Sequence, residues 1–173
     1  MRWNTGAPFY AGEVMSRTDS AQSRVRLPEF VMSRILFSPE SFNMGETTRC
    51  IEIARAAQER GHTVLFHVYS PKYLGLLENA GLPVHLSEPI MSDAEAEQIM
   101  ALDQGRGVRH PFTTDMVRRR VAAELAAIRD FSADAVVIGS NLTMLLSARI
   151  AGVPIFYARP YAYSSTYFSK KPV

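Results

Sequence analysis

The sequence lacks several features that identify a protein class directly, among them multiple cysteines, long apolar runs and a large excess of one charge. Its 173 residues include a single cysteine, Cys50, so an intramolecular disulfide is impossible and a thiolate metal site is not indicated. No run of about 18 uncharged apolar residues occurs, which argues against a membrane-spanning helix. The 19 basic and 17 acidic residues leave a net charge of +2, so no nucleic-acid partner is predicted. Because the chain has one cysteine and cannot form an internal disulfide, we expect it to be located in the reducing cytoplasm.

Several motifs that bind cofactors or carry catalysis are also absent. The segment from Ser38 to Glu46 contains neither G-x-G-x-x-G nor G-x-x-x-x-G-K-[ST], which argues against a dinucleotide site and a phosphate-binding loop. The four histidines lack the spacing of metal ligands. No G-x-S-x-G sequence precedes a helix, which weakens a hydrolase interpretation. We therefore expect no cofactor and no bound metal.

Residues 1–31 differ in character from the rest of the chain. They contain many glycine, proline, serine and asparagine residues and show no sustained helical or strand period. They also lack the basic start and apolar run of a secretory signal. We expect a poorly packed leader or upstream extension here, with a natural N-terminal arm as the alternative. The domain proper is predicted over residues 32–173.

From Ser33 onward, strand-like and helical segments alternate. Strands are predicted at 34–37, 62–68, 83–86, 134–138 and 155–157, and helices at 46–60, 71–80, 92–102, 113–131 and 142–151. Short connections between these segments predict a doubly wound parallel α/β sheet in a three-layer α/β/α arrangement. Ligands of such sheets bind beyond the carboxyl ends of the strands.

The longest predicted helix opens at Thr113 or Thr114 and has a clear apolar stripe. Its members are Val117, Val121, Leu125 and Ile128. Glu124 lies off this stripe, and the run 118–120 of three arginines is most simply a solvated face, with contact to anionic lipid as the alternative.

Three segments together carry a family resemblance. They are GETTRCIEIARAAQERGHTV at 45–64, ADAVVIGSN at 133–141 and ARIAGVPIFYARPY at 148–161. In this order they resemble the N-terminal domain of sugar-nucleotide-dependent glycosyltransferases of the GT-B fold, the UDP-glycosyltransferase superfamily, over roughly residues 33–168.

The resemblance implies half of a GT-B fold that binds a small-molecule or lipid-like acceptor. A UDP- or dTDP-sugar donor would be bound mainly by a C-terminal domain or subunit, and a hexose would pass to an acceptor hydroxyl with inversion. Because no such domain is recognisable before Val173, we expect a fragment or one subunit of a split enzyme, inactive without its other half. The alternative is a non-catalytic α/β binding or scaffold module, and a homodimer through an exposed sheet edge is compatible with both. Peripheral membrane contact is a further alternative to a purely cytoplasmic location.

At the catalytic position this chain departs from the family. Counting back from Gly61 places Glu46 where many members carry a catalytic histidine, and the aspartate that orients this histidine would fall near Gly139. Glu46 could act instead as the base for an acceptor hydroxyl. The alternative is an acidic residue that interacts with the positive end of the helix dipole.

Six further residues are predicted to contact substrate. Ser41, Asn43 and Gly45 lie in the first strand-to-helix loop, where Ser41 and Asn43 are equally well explained as turn formers. Ser140 and Asn141 open a helix, so capping is the competing role. Arg159 follows the last strand and would hold an anionic group or form a structural salt bridge.

Overall fold

The computed structural model describes residues 32–158. Their ten elements run in the order β1 (Arg34–Ser38), α1 (Met44–Glu59), β2 (Thr63–Val68), α2 (Leu74–Asn79), β3 (Val84–Leu86), α3 (Asp93–Asp103), α4 (Thr114–Phe131), β4 (Ala135–Ile138), α5 (Leu142–Ala151) and β5 (Ile155–Tyr157). Each predicted strand and helix is confirmed, with ends that shift by a few residues. The predicted leader at 1–31 and the end of the predicted domain, 159–173, lie outside the described residues.

The five strands form one parallel sheet in the order β3-β2-β1-β4-β5. Successive residues of a strand point to opposite faces of the sheet, so one strand contributes side chains to the hydrophobic core on each face. Phe37 of β1 packs with α1 and α2 on one face, and its ring stacks 5.0 Å from Phe66 of β2. Leu36 packs with α4 and α5 on the other face. The predicted three-layer α/β/α architecture is therefore confirmed.

Helix α3 lies at the carboxyl edge of the sheet and differs from the four helices on its faces. Its Ala96 packs with Phe42, in the loop after β1, and with Tyr69, the first residue after β2. Ser92 and Glu95 form the predicted capping box, in which each side chain accepts a hydrogen bond from the other residue's backbone N–H. This anchors α3 beside the loops that follow the strands. None of the helices within residues 32–158 has the length and apolar character required to cross a bilayer.

Candidate active site

A cavity of about 400 Å³ opens at the carboxyl ends of β1 and β4. The start of α1 forms one side, the turn after β4 forms the floor, and α3 and the end of β5 complete the wall. Its lining residues are Phe42, Asn43, Gly45, Glu46, Arg49, Ile99, Met100, Asp103, Gly139, Ser140, Tyr157 and Ala158. Four predicted site residues, Asn43, Gly45, Glu46 and Ser140, thus meet in one concave site.

Glu46 is the most highly connected residue of this cavity. Its side chain is buried, with 6% of the residue exposed. Oε1 accepts hydrogen bonds from the backbone N–H groups of Glu40, at 2.7 Å, and Ser140, at 2.9 Å. Oε2 accepts one from Ser140 Oγ at 2.6 Å. The carboxylate therefore joins the loop after β1 to the turn after β4.

Gly139 makes room for this carboxylate. A Cβ atom at position 139 would overlap the carboxyl end of Glu46. The two positions at which the resemblance implies a histidine and an aspartate are thus occupied by a glutamate and the glycine that accommodates it. The Glu46 side chain fills the space above the sheet edge that a side chain at 139 would otherwise take.

Asn43 and Gly45 hold the start of α1 against the cavity. Asn43 is the N-cap, and its Oδ1 accepts a hydrogen bond from the Glu46 backbone N–H at 3.3 Å. The Asn43 backbone carbonyl accepts from Thr47 Oγ1 at 2.9 Å. Asn43 therefore caps the helix and also lines the cavity, as does the neighbouring Gly45.

Two other predicted contact residues lie beneath the cavity. Ser41 is fully buried and donates its hydroxyl to the Ser70 carbonyl at 2.7 Å. Asn141 is also fully buried, caps α5, and donates its amide to Ser38 Oγ at 2.9 Å. Both residues connect the ends of neighbouring elements. Arg159 lies outside the described residues.

The prediction of a solvated face at 118–120 is wrong for Arg120. Arg118 and Arg119 are exposed, but Arg120 is 1% exposed and forms an ion pair with the buried Glu40 at 2.6 Å. Its guanidinium lies 3.9 Å from the ring centroid of Tyr69 and 4.6 Å from that of Phe112. An arginine of α4 thus holds the loop that precedes Glu46.

Glu124 was predicted to lie off the buried stripe, and this is also wrong. It is fully buried and accepts 2.6 Å hydrogen bonds from the hydroxyl groups of Thr143 and Ser147 on α5. The predicted stripe members Val117, Val121 and Leu125 are only half-buried. Helix α4 turns Glu124 towards α5 because Thr143 and Ser147 offer it hydroxyl donors there.

Burial changes the acidity of both glutamates. Removal from water raises the pKa of Glu40, and the adjacent Arg120 guanidinium opposes this rise. Burial likewise raises the pKa of Glu124, and its hydrogen bonds from Ser147 and Thr143 oppose it. The sequence does contain a signal for this network, since Arg120, Glu124 and Ile128 recur at the spacing of one helix face. Hydropathy alone does not identify that face.

Known proteins resemble this chain in sequence over most of the described part. No family model matches the chain. It is 28% identical over 137 residues to the PGL/p-HBAD biosynthesis glycosyltransferase of Mycobacterium tuberculosis strain H37Rv, which covers 79% of this chain and 30% of that protein. The same identity and chain coverage hold for the inactive PGL/p-HBAD biosynthesis glycosyltransferase of Mycobacterium bovis, of which 36% is covered. The chain spans about a third of the length of these relatives.

Solved structures show the same fold. SsfS6, a glycosyltransferase of Streptomyces sp. SF2575, superposes with a TM-score of 0.55 at 22% identity, over 72% of this chain and 38% of that protein. MurG of Acinetobacter baumannii superposes with a TM-score of 0.54 at 14% identity, over 72% and 34%. The chain has the Rossmann-like fold found in GT-B glycosyltransferases and resembles these enzymes over a part equal to about a third of their length.

Proposed function

We propose that this chain is the acceptor-binding part of a glycosyltransferase that transfers a hexose from a nucleotide-diphosphate sugar to a hydroxyl group. The observation that supports this most strongly is the buried Glu46 carboxylate on the wall of a cavity at the carboxyl edge of the sheet. Asn43 and Ser140 line the same cavity and supply polar groups for a hydroxylated ligand. The sequence similarity to glycosyltransferases adds to this support.

In the proposed reaction, Glu46 is the general base. The acceptor oxygen forms a bond to the anomeric carbon, the bond from that carbon to the nucleotide diphosphate breaks, and the hydroxyl proton passes to the carboxylate. Among residues 32–158, Oε1 accepts two backbone hydrogen bonds, whereas Oε2 accepts only one, from Ser140 Oγ. A carboxylate oxygen offers about two acceptor sites. Oε2 is therefore the oxygen that takes the proton.

The surroundings favour an acceptor with an apolar body. A second cavity of about 250 Å³ adjoins the first and shares Phe42, Ile99, Asp103 and Ser140 with it. Its other lining residues are Glu40, Leu102, His110, Phe112 and Leu142. A hydroxyl placed at Glu46 would continue into these mainly apolar walls, which suits a small aromatic or lipid-like acceptor.

The donor and the assembly complete the proposal. A UDP- or dTDP-sugar would be held mainly by a C-terminal donor-binding domain or subunit placed over the Glu46 cavity. β5 is an edge strand among the described strands, and its Phe156 is 60% exposed, which supports a homodimer through this edge. We assign the protein to the cytoplasm, with peripheral membrane contact when the acceptor is a lipid.

The test is release of UDP or dTDP. The chain would be mixed with a donor-binding polypeptide encoded beside it, a nucleotide sugar and a panel of phenolic and lipid-like acceptors. The expected result is acceptor-dependent nucleotide release with both polypeptides and none with either alone. If the chain binds no acceptor and the mixture releases no nucleotide, the proposal is contradicted.

A further inference from the structure

A third concave site lies on the α4 side of the sheet, between α4 and the β3 edge. This groove has a volume of about 520 Å³ and shares no lining residue with the Glu46 cavity. Leu65 and His67 of β2 form its floor. Its other lining residues are Arg34, His85, Ser87, Ala123, Ala126, Ala127, Asp130 and Phe131. The groove is therefore separate from the site proposed for sugar transfer.

The groove exists because α4 presents small side chains to this part of the sheet. Ala123, Ala126 and Ala127 are three and four residues apart, so they share one face of the helix. On the opposite wall His85 is exposed, whereas Ser87 is buried. The result is an apolar trough with hydroxyl and imidazole groups on one side, whose lining also includes the exposed charged residues Arg34 and Asp130. Such a surface suits a ligand that is mainly apolar and carries a polar group.

His67 gives this groove an unusual floor. It is 1% exposed, and within residues 32–158 neither of its ring nitrogens has a hydrogen-bond partner. Strand alternation places it on the α4 side, since Phe66 and Val68 pack into the core on the other face. Almost all buried polar side chains in proteins are hydrogen-bonded. Two buried ring nitrogens without a partner therefore indicate that a bound ligand supplies a hydrogen-bond partner to His67.

The surroundings of His67 define what that group can be. Burial, assisted by the neighbouring His85 and Arg120, lowers the pKa of His67 to about 3. Its imidazole is therefore neutral near pH 7, with one nitrogen that donates and one that accepts. A hydroxyl group can pair with either nitrogen of this neutral ring, and the two charged residues of the lining, Arg34 and Asp130, have opposite signs and give the groove no net charge. The complementary ligand is uncharged.

The rings beside His67 favour a flat ligand. The His85 ring is stacked against it with centroids 5.6 Å apart, and Tyr69 meets it edge-on at 5.1 Å. His85 is exposed, so its ring can move aside and open the edge of the His67 ring to a planar molecule in the groove. We propose that the groove binds an uncharged aromatic molecule whose hydroxyl group hydrogen-bonds to His67.

The experiment uses 2-naphthol and naphthalene as probes, titrated separately into the full chain and followed by the fluorescence of each probe. The expected result is saturable binding of both, with 2-naphthol bound about fivefold more tightly because of one added hydrogen bond. Ala126→Leu fills the groove and should abolish binding of both probes at this site, whereas any binding of 2-naphthol in the separate Glu46 cavity should stay unchanged. Ala122→Leu is the matched control, because Ala122 is exposed on the same helix and does not line the groove. It should bind as the native chain does.

His67→Phe keeps a ring of similar size and removes both nitrogens, so it should bind the two probes equally. Thermal melting verifies that each variant is folded. If His67→Phe does not fold, the ratio of the affinities of the native chain for 2-naphthol and naphthalene still measures what the ligand's hydroxyl group contributes to binding. Unchanged binding in Ala126→Leu, equal affinity of the native chain for both probes, or no saturable binding would each overturn the proposal. None of these readouts depends on sugar transfer.

Discussion

The carboxylate of Glu46 occupies the space directly above the α-carbon of Gly139, where a Cβ atom would overlap it. The two residues are far apart in the sequence, yet the size of the side chain at one position constrains the side chain at the other. A larger residue at 139 excludes the carboxylate, and without Glu46 the backbone N–H groups of Glu40 and Ser140 lose their acceptor. This pair fixes the geometry of the candidate site.

Gly139→Ala should destabilise the protein and displace Glu46. The added methyl group meets a side chain that three hydrogen bonds hold in place, so we expect a loss of about 1–3 kcal/mol in the free energy of unfolding. Urea denaturation measures this loss. Gly75→Ala is the matched control, because nothing lies within 4 Å of its added Cβ and it is in helix α2. That variant should be neutral or slightly stabilised. Equal stabilities for the two variants would contradict the packing described here.

Arg120→Met should be strongly destabilising. It leaves the buried Glu40 carboxylate without its cation, and breaking a buried ion pair by removing one partner costs about 3–5 kcal/mol. Arg119→Met is the control, because Arg119 is exposed and should change stability by less than about 0.5 kcal/mol. Adding Glu40→Gln to Arg120→Met should recover part of the loss. A double variant no more stable than Arg120→Met would show that the charge of Glu40 is not the cause.

The fold could be predicted from local signals, whereas the partners of the buried charges could not. Glycines ended the helices as expected, and Gly61 and Gly152 have φ angles of +83° and +71°, which other residues rarely adopt. Strand sequences such as Ala135–Ile138 are apolar because both sheet faces are covered. Arg120 and Glu124 depend instead on partners from distant segments, and helix periodicity does not identify such partners.

For the same reason the sequence predicted only part of the site. Asn43, Gly45, Glu46 and Ser140 follow strands whose carboxyl ends meet, so their shared cavity is a consequence of parallel topology. The hydrogen bonds that hold Ser41 and Asn141 below this cavity arise from packing between elements. Whether the lining residues contact an acceptor stays a prediction.

Protonation of His67 should destabilise the fold at acidic pH. Its pKa in the folded state, about 3, lies below the ordinary value, so the unfolded state binds more protons between about pH 6.5 and pH 3. Stability from this group is complete above about pH 6.5 and falls with decreasing pH by up to about 1.4 kcal/mol per unit. The raised pKa values of Glu40 and Glu124 act in the opposite direction.

The comparison with His67→Phe isolates this contribution, since both glutamates and Arg120 remain in the variant. Urea denaturation of the two proteins at pH 7, 6, 5 and 4 gives the difference in free energy of unfolding. This difference should move steadily in favour of His67→Phe as the pH falls. A difference that does not change with pH would contradict a neutral buried His67.

Glu46→Gln should retain the fold. The amide oxygen can still accept from the Glu40 and Ser140 backbone N–H groups, and the amide nitrogen can donate to Ser140 Oγ. We expect a stability loss below about 1 kcal/mol, whereas Glu46→Ala leaves those buried donors unpaired and should lose about 1–3 kcal/mol. Urea denaturation of the two variants measures both losses. If Glu46→Gln is as unstable as Glu46→Ala, the negative charge itself is required by the fold.

The most direct test of the proposed function is nucleotide release by Glu46→Gln in the reconstituted two-part enzyme. Loss of a general base should lower the turnover number by about 10²–10⁴-fold while acceptor affinity stays near that of the native protein. Glu59→Gln, at the exposed far end of α1, should release UDP or dTDP at the native rate. Native turnover by a folded Glu46→Gln variant would contradict the assignment of Glu46 as the base.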